Sequence, residues 1–309
     1  MKTSDPDLLR RIEKLIHTMQ ALCKDAQAQD QKERCDYTLK CLGALAEAVL
    51  RGREIFGIEP WHPVCEDVAL DAPGEMLLRL KDGRGEVLPP YPAIMTFYEN
   101  NLTAEIDTIL VLCALAQFKN SEERQVSINI SARALRNGEF VRAVLARIEA
   151  LDLAADEKVI IEIHESTPNL AMNKKVLGLF RQAGVLFAID DVGLSMNDVM
   201  RMAEFDGIAD FIKLDRQSVN AKPENPNSLD HVISFISTML PDAVLVAEGV
   251  KSAQHAQEIL SFHPEIKYVQ GLYLPGREEF AREWKDLSYS RPGPKEPNHE
   301  SPVGASSAV

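Results

Sequence analysis

The chain has 309 residues, of which 34 are Lys or Arg and 47 are Asp or Glu, so its formal net charge is −13. This acidic balance argues against a nucleic-acid polymer or an anionic membrane surface as partner, because both attract clustered basic residues. Hydrophobic residues make up 45% of the chain, which is enough for a sizeable core and excludes a chain disordered throughout.

The cysteines and the N-terminus indicate a cytoplasmic protein. The five cysteines are odd in number and include no C-x-x-C pair, so we expect free thiols in a reducing compartment. The first residues are too polar for a signal peptide. The longest apolar run, near Ile109, is far shorter than the ~20 residues that span a bilayer.

Residues 1–58 are predicted to form a helical segment. Ser4 or Asp5 can cap a helix that has Pro6 in its first turn, and apolar residues then follow at helical spacing. A second amphipathic stretch covers residues 39–50. Two such helices cannot bury their apolar faces alone, so they either pack on the main domain or form an interface with a second copy or another protein.

Residues 59–287 are predicted to be the main domain, and residues 288–309, rich in Pro, Gly and Ser, a disordered tail. Within the main domain, β-branched runs alternate with helical stretches, which indicates a parallel sheet covered on both faces. The runs are residues 126–130, 159–163, 185–189, 211–214, 243–247 and 266–270.

Two earlier candidate strands, around Val64 and at residues 76–80, are joined by too few residues for a crossover helix. They are therefore predicted to be antiparallel. Two plus six strands predict an α/β fold, a TIM-like (β/α)8 barrel, with an open doubly wound sheet as the alternative.

Each parallel run carries a polar residue in its later half or just after it. Because barrel strands point their C-terminal ends at one mouth, we expect these side chains to meet there, joined by Glu75. Taken singly, some have ordinary alternatives: an amide as a satisfied core side chain, Glu162 as half of a buried ion pair with Arg79 or Lys213, and the aspartate pair as a helix cap. The residues are Asn129, Glu162, Asp190, Asp191, Lys213, Asp215, Glu248 and Gln270.

The residue types favour metal and phosphate chemistry. Ligands that offer only oxygen indicate a hard ion, Mg²⁺, Mn²⁺ or Ca²⁺, rather than Zn²⁺. Adjacent Asp190 and Asp191 suit a two-metal site for phosphodiester hydrolysis, and Lys213 and Arg79 can contact phosphate oxygens. The oxygen donors are Glu75, Asn129, Glu162, Asp190 and Asp191.

Seven segments, in order along the chain, resemble the motifs of EAL domains, bacterial phosphodiesterases that act on cyclic di-GMP. E-M-L-L-R at residues 75–79 resembles E-A-L-L-R, and N-I-S at 129–131 resembles N-x-S. The others are E-I-H-E-S at 162–166, A-I-D-D-V-G at 188–193, I-K-L-D at 212–215, A-E-G-V at 247–250 and V-Q-G at 269–271.

The resemblance implies a barrel with an antiparallel first strand and hydrolysis of cyclic di-GMP to linear pGpG, with Mg²⁺ or Mn²⁺ at two sites. One ion would be bound by Glu75, Asn129, Glu162 and Asp190, and the second by Asp190 with Asp191. Catalysis would involve Lys213, Glu248 and Glu75. Glu165 would brace the loop after the aspartate pair. The dinucleotide would contact Arg79, Leu77, Gln270 and Asp215.

The loop after the aspartate pair departs from the family pattern. The family has D-D-F-G-T-G-Y-S-S, whereas residues 190–198 read D-D-V-G-L-S-M-N-D. Occupancy of the second metal site therefore stays open. Three functions follow: a working phosphodiesterase, expected as a homodimer; an EAL-type receptor that binds the dinucleotide or a protein without turnover; or another metal-dependent barrel enzyme acting on a phosphate ester.

Overall fold

The computed structural model describes residues 5–64, 72–164, 174–221 and 228–289. Glu165, predicted to brace the loop after the aspartate pair, lies outside the described residues, as does the predicted tail from residue 290 onward. Among the helices in the described ranges, none combines the length and the apolar character that crossing a membrane requires.

The described chain alternates strands and helices. The helices are α1 (Pro6–Lys24), α2 (Gln29–Arg51), α3 (Tyr91–Glu99), α4 (Thr103–Phe118), α5 (Gly138–Leu151), α6 (Lys174–Gln182), α7 (Met196–Glu204), α8 (Arg216–Val219), α9 (Leu229–Met239), α10 (Ala253–Phe262) and α11 (Arg277–Tyr289), with a 3₁₀ turn at Ala134–Arg136. The strands are β1 (Phe56–Pro60), β2 (His62–Pro63), β3 (Gly74–Leu78), β4 (Leu80–Lys81), β5 (Val87–Leu88), β6 (Gln125–Ser131), β7 (Lys158–His164), β8 (Leu186–Val192), β9 (Phe211–Leu214), β10 (Val244–Ala247) and β11 (Ile266–Val269).

The large sheet closes into a barrel. Its strand order is β1-β3-β6-β7-β8-β9-β10-β11-β2, and the neighbours from β3 to β11 are parallel. Only Trp61 separates β1 from β2, so the two form one interrupted strand of the barrel, called here the first stave. This strand is antiparallel to β3 on one side and to β11 on the other. The predicted barrel with an antiparallel first strand is confirmed.

The six predicted parallel runs coincide with β6 to β11: five agree to within one residue at each end, and β8 continues three residues further than predicted, to Val192. The first two strands lie earlier than predicted. The first stave ends at Pro63 rather than running around Val64, and β3 covers Gly74–Leu78 rather than residues 76–80. The antiparallel relation predicted between them is present, with Glu59 opposite Glu75.

An apolar layer fills the barrel beneath its mouth. Trp61 is fully buried there, against Ile160, Ala188, Phe211 and Val246 from four parallel strands. The rings of Trp61 and Phe211 meet edge to face, with centroids 5.3 Å apart. Glu162 and Lys213 follow Ile160 and Phe211 by two residues on the same strands, so they lie in the next layer towards the C-terminal ends of the strands.

The N-terminal helices pack on the barrel domain. Asp5 caps α1 by accepting hydrogen bonds from the N–H groups of Asp7 and Leu8, and its carboxylate pairs with Arg147 of α5. The apolar stripe of α1, which includes Ile12 and Met19, is buried against α2 and α4. Within the described residues these faces are therefore used inside the chain; dimerisation stays a prediction.

Candidate functional site

Four carboxylates converge on one ammonium above the apolar layer. Lys213 of β9 is 1% exposed at its side chain, and its Nζ ion-pairs with one oxygen from each of four acidic residues. The distances are 2.7 Å to Glu162 Oε2, 2.7 Å to Glu248 Oε1, 3.1 Å to Glu75 Oε2 and 3.1 Å to Asp190 Oδ1. The structure therefore brings together residues from β3, β7, β8, β9 and the end of β10.

Glu75 is held by two amide side chains as well as by Lys213. Asn129 Nδ2 donates to Glu75 Oε1 at 2.5 Å, and Gln270 Nε2 donates to Glu75 Oε2 at 2.6 Å. The same Gln270 nitrogen lies 3.3 Å from Glu59 Oε1. Both predicted amides thus contact the acidic cluster, rather than being isolated core amides.

Asp190 and Asp191 form a β-bulge opposite Lys213. The strand register pairs Ile189 with Ile212 and Val192 with Leu214, so two residues of β8 face one residue of β9. Successive side chains of a regular strand point to opposite faces, and a bulge redirects them. Asp191 has a φ of 51°, in the left-handed region that only a few residue types tolerate.

The bulge places both aspartates beside Glu248. One oxygen from each of Asp190, Asp191 and Glu248 lies within 4.8 Å of the other two. The sequence predicted a catalytic role for Glu248; its approach to the aspartate pair also makes it a candidate metal ligand. This approach depends on the loop after β10 and has no signature in the local sequence.

The cluster holds more negative charge than Lys213 can balance. Burial raises the pKa of Glu162 well above its usual value, with Glu75 adding to the rise, and burial raises the pKa of Glu248 to about 8. Burial by itself lowers the pKa of Lys213, but the surrounding carboxylates, Asp190 first, raise it well above the usual value. The lysine therefore stays charged, and the carboxylates favour additional positive charge.

The donor set fits a hard divalent cation. Glu162 Oε1 and Asp190 Oδ1 are buried and accept no hydrogen bond from the described residues. Asp190 Oδ1 does lie 3.1 Å from Lys213 Nζ, but this contact is an ion pair whose angles do not make it a hydrogen bond. Unsatisfied buried carboxylate oxygens are costly unless they bind a cation. Oxygen-only donors favour Mg²⁺ or Mn²⁺ over Zn²⁺.

Three predicted substrate contacts lie around the cluster rather than in it. Arg79 is exposed just after β3, beside Gly57, and Leu77 is half-buried on that strand. Asp215 caps α8, accepting a hydrogen bond from Ser218 N at 2.9 Å.

Two features of the mouth were missed by sequence reasoning. Glu59 faces Gln270 and Glu75, and burial raises its pKa; its position two residues before buried Trp61 on one stave was the available signal. A cleft of about 650 Å³ is lined by Asp191 and by residues that include Tyr98, Arg133 and His164. The cleft depends on α3, whose position the sequence does not reveal.

A family profile and a curated relative both match this chain. A family profile described as EAL domain matches residues 60–275. A curated relative, the cyclic di-GMP phosphodiesterase PdeA of Borreliella burgdorferi, is 26% identical over 206 residues, which are 64% of this chain and 30% of that protein. The chain therefore spans less than a third of the length of this relative.

Solved structures of EAL domains share the fold. The FimX EAL domain of Pseudomonas aeruginosa bound to c-di-GMP matches with a TM-score of 0.63 at 21% identity, covering 76% of this chain and 95% of that one. The Xanthomonas citri FimX EAL domain in complex with c-diGMP gives 0.61 at 19%, covering 79% and 94%. An EAL domain protein of Listeria monocytogenes gives 0.60 at 21%, covering 79% and 97%.

Proposed function

Since this chain belongs to the EAL domain family, we propose that it hydrolyses cyclic di-GMP to linear pGpG with the help of Mg²⁺ or Mn²⁺. One observation carries the proposal: four carboxylates from separate strands surround Lys213 at the mouth of the barrel. A structural core has no need for such a surplus of buried acids, whereas a metal-dependent phosphodiesterase does.

The residues that would hold the ions are those already brought together. Glu75, Asn129, Glu162 and Asp190 would hold one ion, and Asp190 with Asp191 the second, with Glu248 adjacent to that pair. The ions supply Lewis acidity at the phosphate and lower the pKa of water.

The protein's own groups would orient the substrate and move the proton. The Lys213 ammonium holds four carboxylates in place and so orients the groups that would bind the ions. Glu248 lies beside the aspartate pair and would accept the proton of the attacking water. The cleft beside Asp191 offers room for one half of the dinucleotide. Arg79, exposed just after β3, is available to contact it.

The test is direct turnover by the purified full chain. We expect pGpG to form from cyclic di-GMP in the presence of Mg²⁺ or Mn²⁺, and ion-pair chromatography measures the product. Its formation should stop when the metal is chelated. Glu75→Gln should lower the rate at least about 100-fold, because it removes a charged ligand while keeping the shape. Glu149→Gln, at an exposed position of α5, is the matched control and should retain the wild-type rate.

A receptor without turnover is the second candidate, and the altered loop at residues 190–198 favours it. In that case, calorimetry would detect cyclic di-GMP binding while no pGpG forms under any metal. A chain that neither binds nor cleaves cyclic di-GMP would refute both candidates.

A homodimer is part of the same proposal. Light scattering on the full chain should give about twice the 34.4 kDa chain mass. The monomer mass at concentrations well above those of the activity assay would contradict it.

A further inference from the structure

Arg201 of α7 contacts the backbone of both residues in the Asp190–Asp191 bulge. Its Nη1 donates to Asp190 O at 2.8 Å, and its Nη2 donates to Asp191 O at 3.2 Å. The arginine side chain is only 12% exposed. One guanidinium thus bridges the two carbonyl oxygens that the bulge turns away from the regular ladder.

Asp198 holds Arg201 and the intervening loop at the same time. Its Oδ1 accepts from Arg201 Nη2 at 2.5 Å. Its Oδ2 accepts from Ser195 Oγ at 2.7 Å, Ser195 N at 3.0 Å and Gly193 N at 3.3 Å. Ser195 in turn caps α7, so the bulge, the loop and the first turn of α7 form one hydrogen-bonded unit.

This unit lies where the loop departs from the family pattern. Residues 194–198 read L-S-M-N-D in place of T-G-Y-S-S. The chain therefore supports its aspartate pair through Asp198, which stands where the family pattern has Ser, and through Arg201, which lies beyond that pattern. Asp191 adopts a left-handed φ, which aspartate tolerates better than most residues with a side chain, and the contacts of Arg201 fix the backbone in that conformation.

We propose that Arg201 is a positioning residue for the metal site: it fixes the bulge so that the carboxylates of Asp190 and Asp191 both lie beside Glu248. This inference rests on the proposed function, because the bulge must bind a divalent cation for its geometry to matter. Arg201 makes its contacts through the backbone, and Asp198 keeps its guanidinium in place.

The experiment measures Mn²⁺ binding to the metal-free full chain by isothermal titration calorimetry, without substrate. Arg201→Met keeps most of the side-chain volume and removes every donor, so the Kd for Mn²⁺ should rise about tenfold or more, the range found when groups that orient ligands are lost. Arg201→Lys should recover part of the affinity, because an ammonium keeps the charge without the planar fork.

Arg181→Met is the matched control. Arg181 Nη1 also donates to a backbone carbonyl, that of Ile208 at 3.0 Å, and to an aspartate, Asp210, at 2.6 Å. The Arg181→Met variant therefore loses hydrogen bonds of the same kinds, but away from the aspartate pair. Its affinity for Mn²⁺ should stay within twofold of that of the wild type.

Equal Mn²⁺ affinity of Arg201→Met and the wild type, with cooperative unfolding of both, would overturn the inference. If Arg201→Met does not fold, Arg201→Lys and Asp198→Asn decide: weaker Mn²⁺ binding than in the Arg181 control supports the inference, and unchanged binding overturns it. A wild-type chain that binds no Mn²⁺ would instead remove the metal-dependent function, and the inference with it.

Discussion

Lys213 Nζ lies 2.7 Å from Glu162 Oε2 in the centre of the barrel, where their side chains are 1% and 0% exposed. The second oxygen of Glu162 accepts no hydrogen bond from the described residues. The pair is therefore only half satisfied: the lysine neutralises one oxygen and shares its charge with three further carboxylates. Such an arrangement is expected to be sensitive to charge, to pH and to added cations.

Lys213→Met should lower the free energy of unfolding of the metal-free chain by about 3–5 kcal/mol near neutral pH, because buried carboxylates lose their cation. Urea denaturation in the presence of EDTA measures this. Lys119→Met is the matched control: Lys119 is exposed and donates to Leu151 O at 2.6 Å, so its loss should cost about 1 kcal/mol or less. Similar losses for both variants would contradict the central role of Lys213.

Glu248 should make the metal-free chain less stable as pH rises. Its pKa is about 8 in the folded chain against 4.5 for the free side chain, so between these values the folded state binds a proton that the unfolded state releases. The resulting loss of stability begins above pH 4.5 and is complete above pH 8. Glu162 and Asp191, whose pKa values burial also raises, act in the same direction.

This pH effect can be measured by urea denaturation with EDTA from pH 5.5 to 8.5. Glu248→Gln cannot titrate, so its free energy of unfolding should fall less steeply over that range than that of the wild type. Parallel curves for the two proteins would show that Glu248 does not titrate differently in the folded and unfolded chain.

Gly271→Ala should lower the free energy of unfolding by more than about 2 kcal/mol, because a Cβ there would lie 1.9 Å from Val250 O and backbone must move. Val250 N also donates to Gln270 O at 3.1 Å, so the strain falls beside a cluster residue. Gly178→Ala in α6 meets no atom within 4 Å and should be neutral or stabilising by up to about 1 kcal/mol. Chemical denaturation of both variants checks this, and equal midpoints would refute the clash.

Ile12→Ala should lower the free energy of unfolding by about 2–5 kcal/mol, because Ile12 is 0% exposed between α1, α2 and α4. Leu22→Ala, at a position 37% exposed, is the control and should change it by about 0.5 kcal/mol or less. Circular dichroism during urea denaturation reports both. If Ile12→Ala left the transition unchanged, the packing of the N-terminal helices on the barrel would be wrong.

The fold was predictable because its signals are local. Each parallel strand is a short apolar run followed by a polar residue, and the polarity common to barrel strands places those residues at one mouth. This is why Asn129, Glu162, Lys213 and Gln270 were expected together and lie together. The position of the first stave was predicted less well, because its start at Phe56 depends on pairing with β3.

By itself, then, the sequence determined the alternation of strands and helices and the residue types at the C-terminal ends of the strands, since these follow from periodicity and strand direction along the chain. Closure of the sheet into a barrel, rather than an open doubly wound sheet, is seen in the pairing of its strands. Only the tertiary structure decided which groups touch. The bulge that brings Asp190 and Asp191 beside Glu248 depends on the register between β8 and β9. The hydrogen bonds from Arg201 to their carbonyl oxygens depend on the packing of α7. Register and packing are set by contacts between residues far apart in the sequence, so the local sequence does not determine them.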